Sequence, residues 1–169
     1  HSLLLVPYFS WQRSHAIHHR FTNNITYGET HVPLVINGNG GNEKLGGEKE
    51  ISFSNKLGKR NYGILQLFLH LFFGWPAYLL SGSTGGPKNG VTNHFWPTKP
   101  FSKVLWPSIW AKKVWVSDIG VGCTIVGLIF LIAKFGLFPI MGMYFGPLLI
   151  VNCCLVVYTW LHHTDSDVP

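Results

Sequence analysis

A chain of 169 residues in which 47% are hydrophobic and only 12% charged cannot coat a water-soluble domain; ordinary globular chains carry about 25% charged residues. Seven tryptophans suit a protein with two water–lipid interfaces to line. The net charge of +6 is spread between apolar runs instead of gathering on one face. That argues against a nucleic-acid partner and reads more simply as basic loops on the cytoplasmic side of a membrane.

Ser2 to Phe9 (SLLLVPYF) is apolar but far shorter than the roughly 20 residues a spanning helix needs. It reads as the last two turns of a helix, so residues 1–9 are expected to end a membrane segment. With no initiating methionine and no signal peptide, the chain reads as an internal piece of something longer. Residues 10–63 are expected to hold a histidine cluster and a cytoplasmic loop. The cluster is Trp11-Gln-Arg-Ser-His-Ala-Ile-His-His-Arg20, an H-x-x-H-H pattern. On a helix, His15 pairs with His18 at i, i+3 and with His19 at i, i+4. Such residues are neighbours on one face, so the first and third imidazoles converge with His18 beside them. Neutral imidazole suits iron, copper, zinc and nickel; the alternative is a polar helix rim that happens to be rich in histidine. From Thr22 to Arg60 the chain is polar and loop-like. Residues 37–47, rich in Gly and Asn, form a linker without G-x-G-x-x-G spacing, so phosphate binding is not implied.

Ile64 to Leu80 is strongly apolar but interrupted by Gln66, His70, Gly74 and Pro76. Val114 to Ala133 and Leu137 to Leu161 are better spans, joined by a short link at Lys134 to Phe138, and are expected to form an antiparallel hairpin. Cys123, Cys153 and Cys154 lie inside apolar stretches and read as packing residues. His162 and His163 emerge at the end of the last span. If they share a metal with His15, His18 and His19, both groups face one side of the membrane. Two crossings return the chain to its starting side and three do not. Residues 64–80 are therefore predicted to lie in the interface or re-enter, with Trp75, Tyr78 and a Gly74/Pro76 break suited to that position. Lys44, Lys49, Lys56, Lys59, Arg60, Lys103, Lys112 and Lys113 then share the histidine side, which the positive-inside tendency makes cytoplasmic. The fold expected is an all-α, polytopic membrane helical protein with a histidine-box cytoplasmic cap, present as a partial chain.

The sequence resembles the membrane fatty acid desaturases, most closely their omega-6 (delta-12) acyl-lipid branch. The matching words are Ser10-Trp-Gln-Arg-Ser-His-Ala-Ile-His-His19, Gly28-Glu-Thr-His-Val-Pro33, Phe73-Gly-Trp-Pro-Ala-Tyr-Leu-Leu80, Asn93-His-Phe95, Tyr144-Phe-Gly-Pro-Leu-Leu-Ile-Val-Asn152 and Tyr158-Thr-Trp-Leu-His-His-Thr-Asp165. H-x-x-H-H alone is only moderately specific, because sterol and carotenoid hydroxylases use it too; the ordered set of words is highly specific. The resemblance implies three histidine boxes around a non-haem di-iron centre. His15, His18 and His19 match the second box, while the first and third would lie upstream of His1 and downstream of Pro169. His163 matches a further ligand at the exit of the last helix, with His162 as a spacer or supporting residue. The implied activity is oxygen-dependent conversion of oleoyl to linoleoyl lipid in the endoplasmic reticulum membrane, or a plastid. Its partners would be membrane lipid, molecular oxygen and an electron donor, cytochrome b5 (ferredoxin if plastidial). Removing hydrogen from an unactivated methylene pair needs an oxidant that side chains cannot supply and an oxygen-activating metal can. A ligating histidine gives its other N–H to an acceptor. Glu29 and Asp165 are candidates, ordinary loop charges being the alternative. His1, His31, His70 and His94 stay off the ligand set. The rivals are a hydroxylase or omega-3 desaturase on the same scaffold, and a non-catalytic metal-binding membrane protein.

Overall fold

The computed structural model describes residues 1–22, 24, 26–30, 55–82, 89, 91–101 and 104–163, without the side chain of His163. The linker 37–47, His31, Lys44, Lys49, Lys103 and Asp165 lie outside the described residues. Among those described there is no strand. The helices are α1 (Tyr8–Arg20), α2 (Lys59–Ser81), α3 (Ser108–Phe135), α4 (Leu137–Ile140) and α5 (Gly146–His163). A π-helical turn, Met141–Phe145, joins the last two.

The first residues differ from the two helical turns expected of them. Ser2–Leu4 is one 3-10 turn, Leu5 is left-handed at φ 55, and Pro7 is extended at the entrance to α1. Proline has no N–H to lose where the first amides of a helix are unbonded. Trp11 N–H then donates to the Pro7 carbonyl at 3.2 Å. The histidine cluster therefore sits on a helix of its own, separated from the apolar start by a sharp bend.

The break expected at Gly74 and Pro76 is absent, and α2 runs through both. Pro76 deletes only the bond to the Phe72 carbonyl, one among the many of a 23-residue helix. Gly74 is where α5 comes close: a Cβ there would stand 3.3 Å from a Val156 methyl. Beside it, the Cys153 thiol donates to the Leu71 carbonyl at 3.4 Å. The other two cysteines are free thiols on exposed helix faces. By length and composition α2, α3 and the run Leu137–His162 are each able to cross a bilayer.

Helix α3 extends the expected 114–133 at both ends, from Pro107 to Gly136, whose φ of 88 makes the whole link to α4 a single residue. Its first half packs antiparallel on α1. Phe9 N–H donates to Ser117 Oγ at 2.9 Å, Arg13 donates to the Leu105 carbonyl, and the Arg13 guanidinium stands 5.1 Å over Trp110. The expected hairpin is splayed: α5 packs on α2, while α3 packs on α1 and makes little direct contact with α5. The π turn accounts for this. The Gly146 N–H reaches back to the Met141 carbonyl, ahead of Pro147, and a wide turn of this kind bends a helix. Large apolar side chains such as Ile119, Val126, Ile129 and Phe130 line the outer face of α3, a surface solvated by lipid and not by water.

One glycine is indispensable. Gly82 ends α2 at φ 55, and a Cβ on it would fall 1.8 Å from Thr92 Oγ1. Gly82→Ala adds the left-handed penalty, about 1–2 kcal/mol, to an overpacking cost of about 1–3 kcal/mol. The expected result is clear loss of thermal stability in detergent; an unchanged melting temperature would contradict this packing of the 91–107 loop on α2.

Candidate metal centre

Helix α1 is organised by two adjoining stripes. Ser10, Ser14 and His18, at i, i+4 and i+8, are buried. The small serines let neighbouring segments approach closely. Turned from this stripe, His15 and His19 face a cavity, with Trp11 stacked on the His15 ring at 4.6 Å. Their Nε2 atoms are 3.0 Å apart, and their rings are nearly perpendicular at 89°. At that distance one Nε2 donates to the other, and the two imidazoles are close enough that both would be available to one metal. Burial, and after it the charge of His19, hold His15 below the ordinary histidine pKa. This favours the neutral, ligating form.

His18 points differently. Its Nδ1 lies 3.2 Å from the Thr30 carbonyl. A carbonyl only accepts, so Nδ1–H donates and the lone pair resides on Nε2, the usual state of a ligating histidine. The His18 ring centroid is 6.4 Å from that of His15 and 5.8 Å from that of His19. The triad does not converge on one point, and among the described residues no group of three His, Cys, Asp or Glu is arranged around a single ion.

The cavity, 820 Å³, lies between α1, α2 and α5. Leu69, Phe73, Val156 and Trp160 contribute apolar wall, and His15, His18, His19, His70 and His162 are among its polar lining residues. Of these five, His70 is one kept off the ligand set and His162 one read as a spacer or supporting residue. His70 Nδ1–H donates to the Gln66 carbonyl at 2.8 Å and His162 Nδ1–H to the Tyr158 carbonyl at 2.9 Å. Each thus carries its lone pair on Nε2. The signal for both was helical position alone, which fixes a face but not what that face meets. His163 closes α5, and its side chain lies outside the described residues.

Glu29, a candidate acceptor for a ligand histidine with an ordinary loop charge as the alternative, is a buried side chain that engages Ser14: the serine hydroxyl donates to Glu29 Oε2 and also contacts the Tyr78 hydroxyl. Burial pushes the Glu29 carboxyl up to about 7, with the Ser14 hydrogen bond opposing. His94, kept off the ligand set, lies behind α1, its Nε2 3.2 Å from the Tyr78 hydroxyl and its backbone N–H bonded to the Leu79 carbonyl at 2.8 Å. Burial pushes it down to about 4, so it is neutral at physiological pH.

Imidazoles and apolar side chains line one cavity among helices long and apolar enough to cross a bilayer, the arrangement of a helical membrane protein. No protein-family model matches the chain, and no solved structure does. Curated relatives match over all of it. A delta(12) fatty acid desaturase of Calendula officinalis is 35% identical over 169 residues, covering 100% of this chain and 40% of the relative. A delta(12)-fatty-acid desaturase of Arabidopsis thaliana is 34% identical over 169 residues, with the same coverage of 100% and 40%. An oleate hydroxylase of Claviceps purpurea is 35% identical over 187 aligned residues, covering 100% of this chain and 38% of the relative. The chain thus spans about 40% of the length of the curated relatives it matches. It belongs to the family of delta-12 fatty acid desaturases and related hydroxylases.

Proposed function

We propose that this chain is part of an oxygen-dependent acyl-lipid desaturase that introduces the delta-12 double bond into oleoyl lipid to give linoleoyl lipid. The observation that carries the reading is the apolar cavity with His15, His18 and His19 at its edge. Its volume lies within the range of small-molecule pockets, and its apolar walls suit an acyl chain. His15, His18, His19 and His163 would hold iron, with the remaining ligands of a di-iron centre outside this chain. Bound iron would supply oxygen activation, the oxidising power that this chain's side chains lack.

The residues themselves do the rest. Trp11 braces the His15 ring, and the Thr30 carbonyl sets the His18 tautomer. The walls contributed by α2 and α5 exclude water and align the chain to be oxidised. Electrons would come from cytochrome b5, or from ferredoxin in a plastid. The setting is a membrane, the endoplasmic reticulum by this reading.

One observation favours a second outcome. Hydroxylases of Claviceps purpurea and Ricinus communis, at 35% and 33% identity, match as well as the desaturases do. Hydroxylation needs the same centre and cavity and differs only in the fate of the oxidised carbon. Expression of the whole protein in a yeast that makes oleate but no linoleate separates the two. Linoleate is the expected product, and a 12-hydroxylated acyl chain supports the alternative. Unchanged fatty acids from membranes that hold the protein and its electron donor overturn both.

A further inference from the structure

The strongest unassigned feature is the short segment folded against the buried face of α1. Three consecutive residues each make one anchor. The Gly28 carbonyl accepts from Asn89 Nδ2 at 3.1 Å, Glu29 accepts from Ser14, and the Thr30 carbonyl accepts from His18 Nδ1 at 3.2 Å. Ser14 and His18 lie one turn apart on α1, so two adjacent residues of the segment grip two successive turns of the helix. Every member is enclosed: Ser14 is 0% exposed, Glu29 1%, and Thr30 and His18 both 8%. Upstream, Asn24 Oδ1 accepts the Thr26 and Tyr27 amides at 3.0 and 2.8 Å, and the Gly28 amide bonds to the Asn24 carbonyl at 2.9 Å. The segment therefore arrives at α1 already folded.

A carboxylate this deeply enclosed carries a desolvation cost, and a neutral side chain would cover the same surface without it. What the carboxylate supplies is a directional acceptor at one place, above Ser14. Fixing Glu29 there holds the Glu29–Thr30 peptide group in place, and the Thr30 carbonyl, one residue on, is the acceptor for His18. We infer that Glu29 is a positioning residue for the metal site: by accepting the Ser14 hydroxyl it holds the Thr30 carbonyl where it accepts a hydrogen bond from His18 Nδ1–H, which leaves Nε2 as the nitrogen that would hold metal. This rests on the metal-ligand reading of His18 given above. It extends that reading to a residue that touches neither metal nor substrate.

The test uses the whole protein, purified in detergent, stripped of metal and titrated anaerobically with ferrous iron alone. Glu29→Ala is expected to weaken iron binding about ten- to a hundred-fold, the usual consequence of losing a group that orients a ligand. Glu29→Gln keeps an acceptor oxygen at the same reach and is expected to stay within about three-fold of the parent by the same scale. Ser14→Ala should match Glu29→Ala. The double variant should be no worse than either single one, because both act through one hydrogen bond. Thermal unfolding of the metal-free variants reads stability separately from affinity. The inference is overturned if Glu29→Ala binds iron as the parent does, if Glu29→Gln loses as much as Glu29→Ala, or if the two single effects add. A lower melting temperature with unchanged iron affinity also overturns it, since Glu29 would then serve folding alone. His18→Ala, titrated alongside, separates the two levels of the argument. If it binds iron normally, the metal-ligand reading itself fails; if it loses iron while Glu29→Ala does not, only the positioning role fails. Should Glu29→Ala not accumulate, Ser14→Ala and Glu29→Gln still decide between these results.

Discussion

Whole protein carrying His15→Ala, His18→Ala or His19→Ala is expected to form no detectable linoleate in yeast while still accumulating in membranes. The two halves of that result have separate causes. His15 and His19 are exposed at the cavity edge, where truncation away from packed features changes stability by about 0.5 kcal/mol or less. The same truncation removes one of the two imidazoles whose Nε2 atoms are 3.0 Å apart, and with it a residue that would hold iron. His18 differs, being buried and bonded to Thr30. Its removal leaves a buried carbonyl without that donor, at a cost of about 1–3 kcal/mol, so some loss of accumulation is expected there. His163→Ala should match the box variants and His162→Ala should be milder. Because His162 lines the cavity, the comparison of these two also decides which histidine of α5 serves the site. Normal linoleate from membranes holding His18→Ala would end the assignment of the box as a metal site.

What could be read in advance follows the range of the interactions. His15 and His19 pair because residues four apart share a helix face, a rule internal to one element, and their 3.0 Å approach follows from it. The spans at 114–133 and 137–161 were legible because lipid imposes a length and an apolar composition on any helix that crosses it. Nothing local announces that Glu29 meets Ser14, 15 residues away, or that Asn89 meets Gly28, 61 residues away. Those partners are chosen by how α1, α2 and the 91–107 loop pack. The Ser10, Ser14, His18 repeat was the one available sign: small polar residues at i, i+4 next to ligand candidates mark a face that something approaches closely. Pro76 misled for a related reason. Its local effect is to weaken one helical bond, yet α2 persists because its contact with α5 at Gly74 and Val156 is worth more than the bond lost.

Membrane topology gives the sharpest remaining test, and α2 is its centre. Ile64 to Leu80 contains no Asp, Glu, Lys or Arg, so insertion cost alone does not prevent a crossing. A charge at mid-bilayer costs about 2.5–3.5 kcal/mol on insertion scales, and here there is none. The constraint comes from α3. Its first turns touch α1 through Arg13 and Trp110 and through Phe9 and Ser117, so α3 starts on the side of the histidine box. The polar stretch from Thr22 to Arg60 offers nothing to cross with, so α2 also starts on that side. By this reading both ends of α2 are on the box side, and α2 is expected to lie along the interface or dip into it. Single cysteines at Arg60 and Ser81, in a background lacking Cys123, Cys153 and Cys154, should both react with a membrane-impermeant thiol reagent from the cytoplasmic face. The Asn24-Ile25-Thr26 sequon should stay unglycosylated in reticulum membranes for the same reason. An acceptor sequon carried on a spacer at Gly136, the link between α3 and α4, should be glycosylated, because one crossing separates it from the box. Labelling of Arg60→Cys and Ser81→Cys from opposite faces would mean that α2 crosses. The end of α5 would then be carried away from His15 and His19 unless α3 or the Leu137–His162 run failed to cross, and the shared cavity that supports the desaturase reading would have to be abandoned.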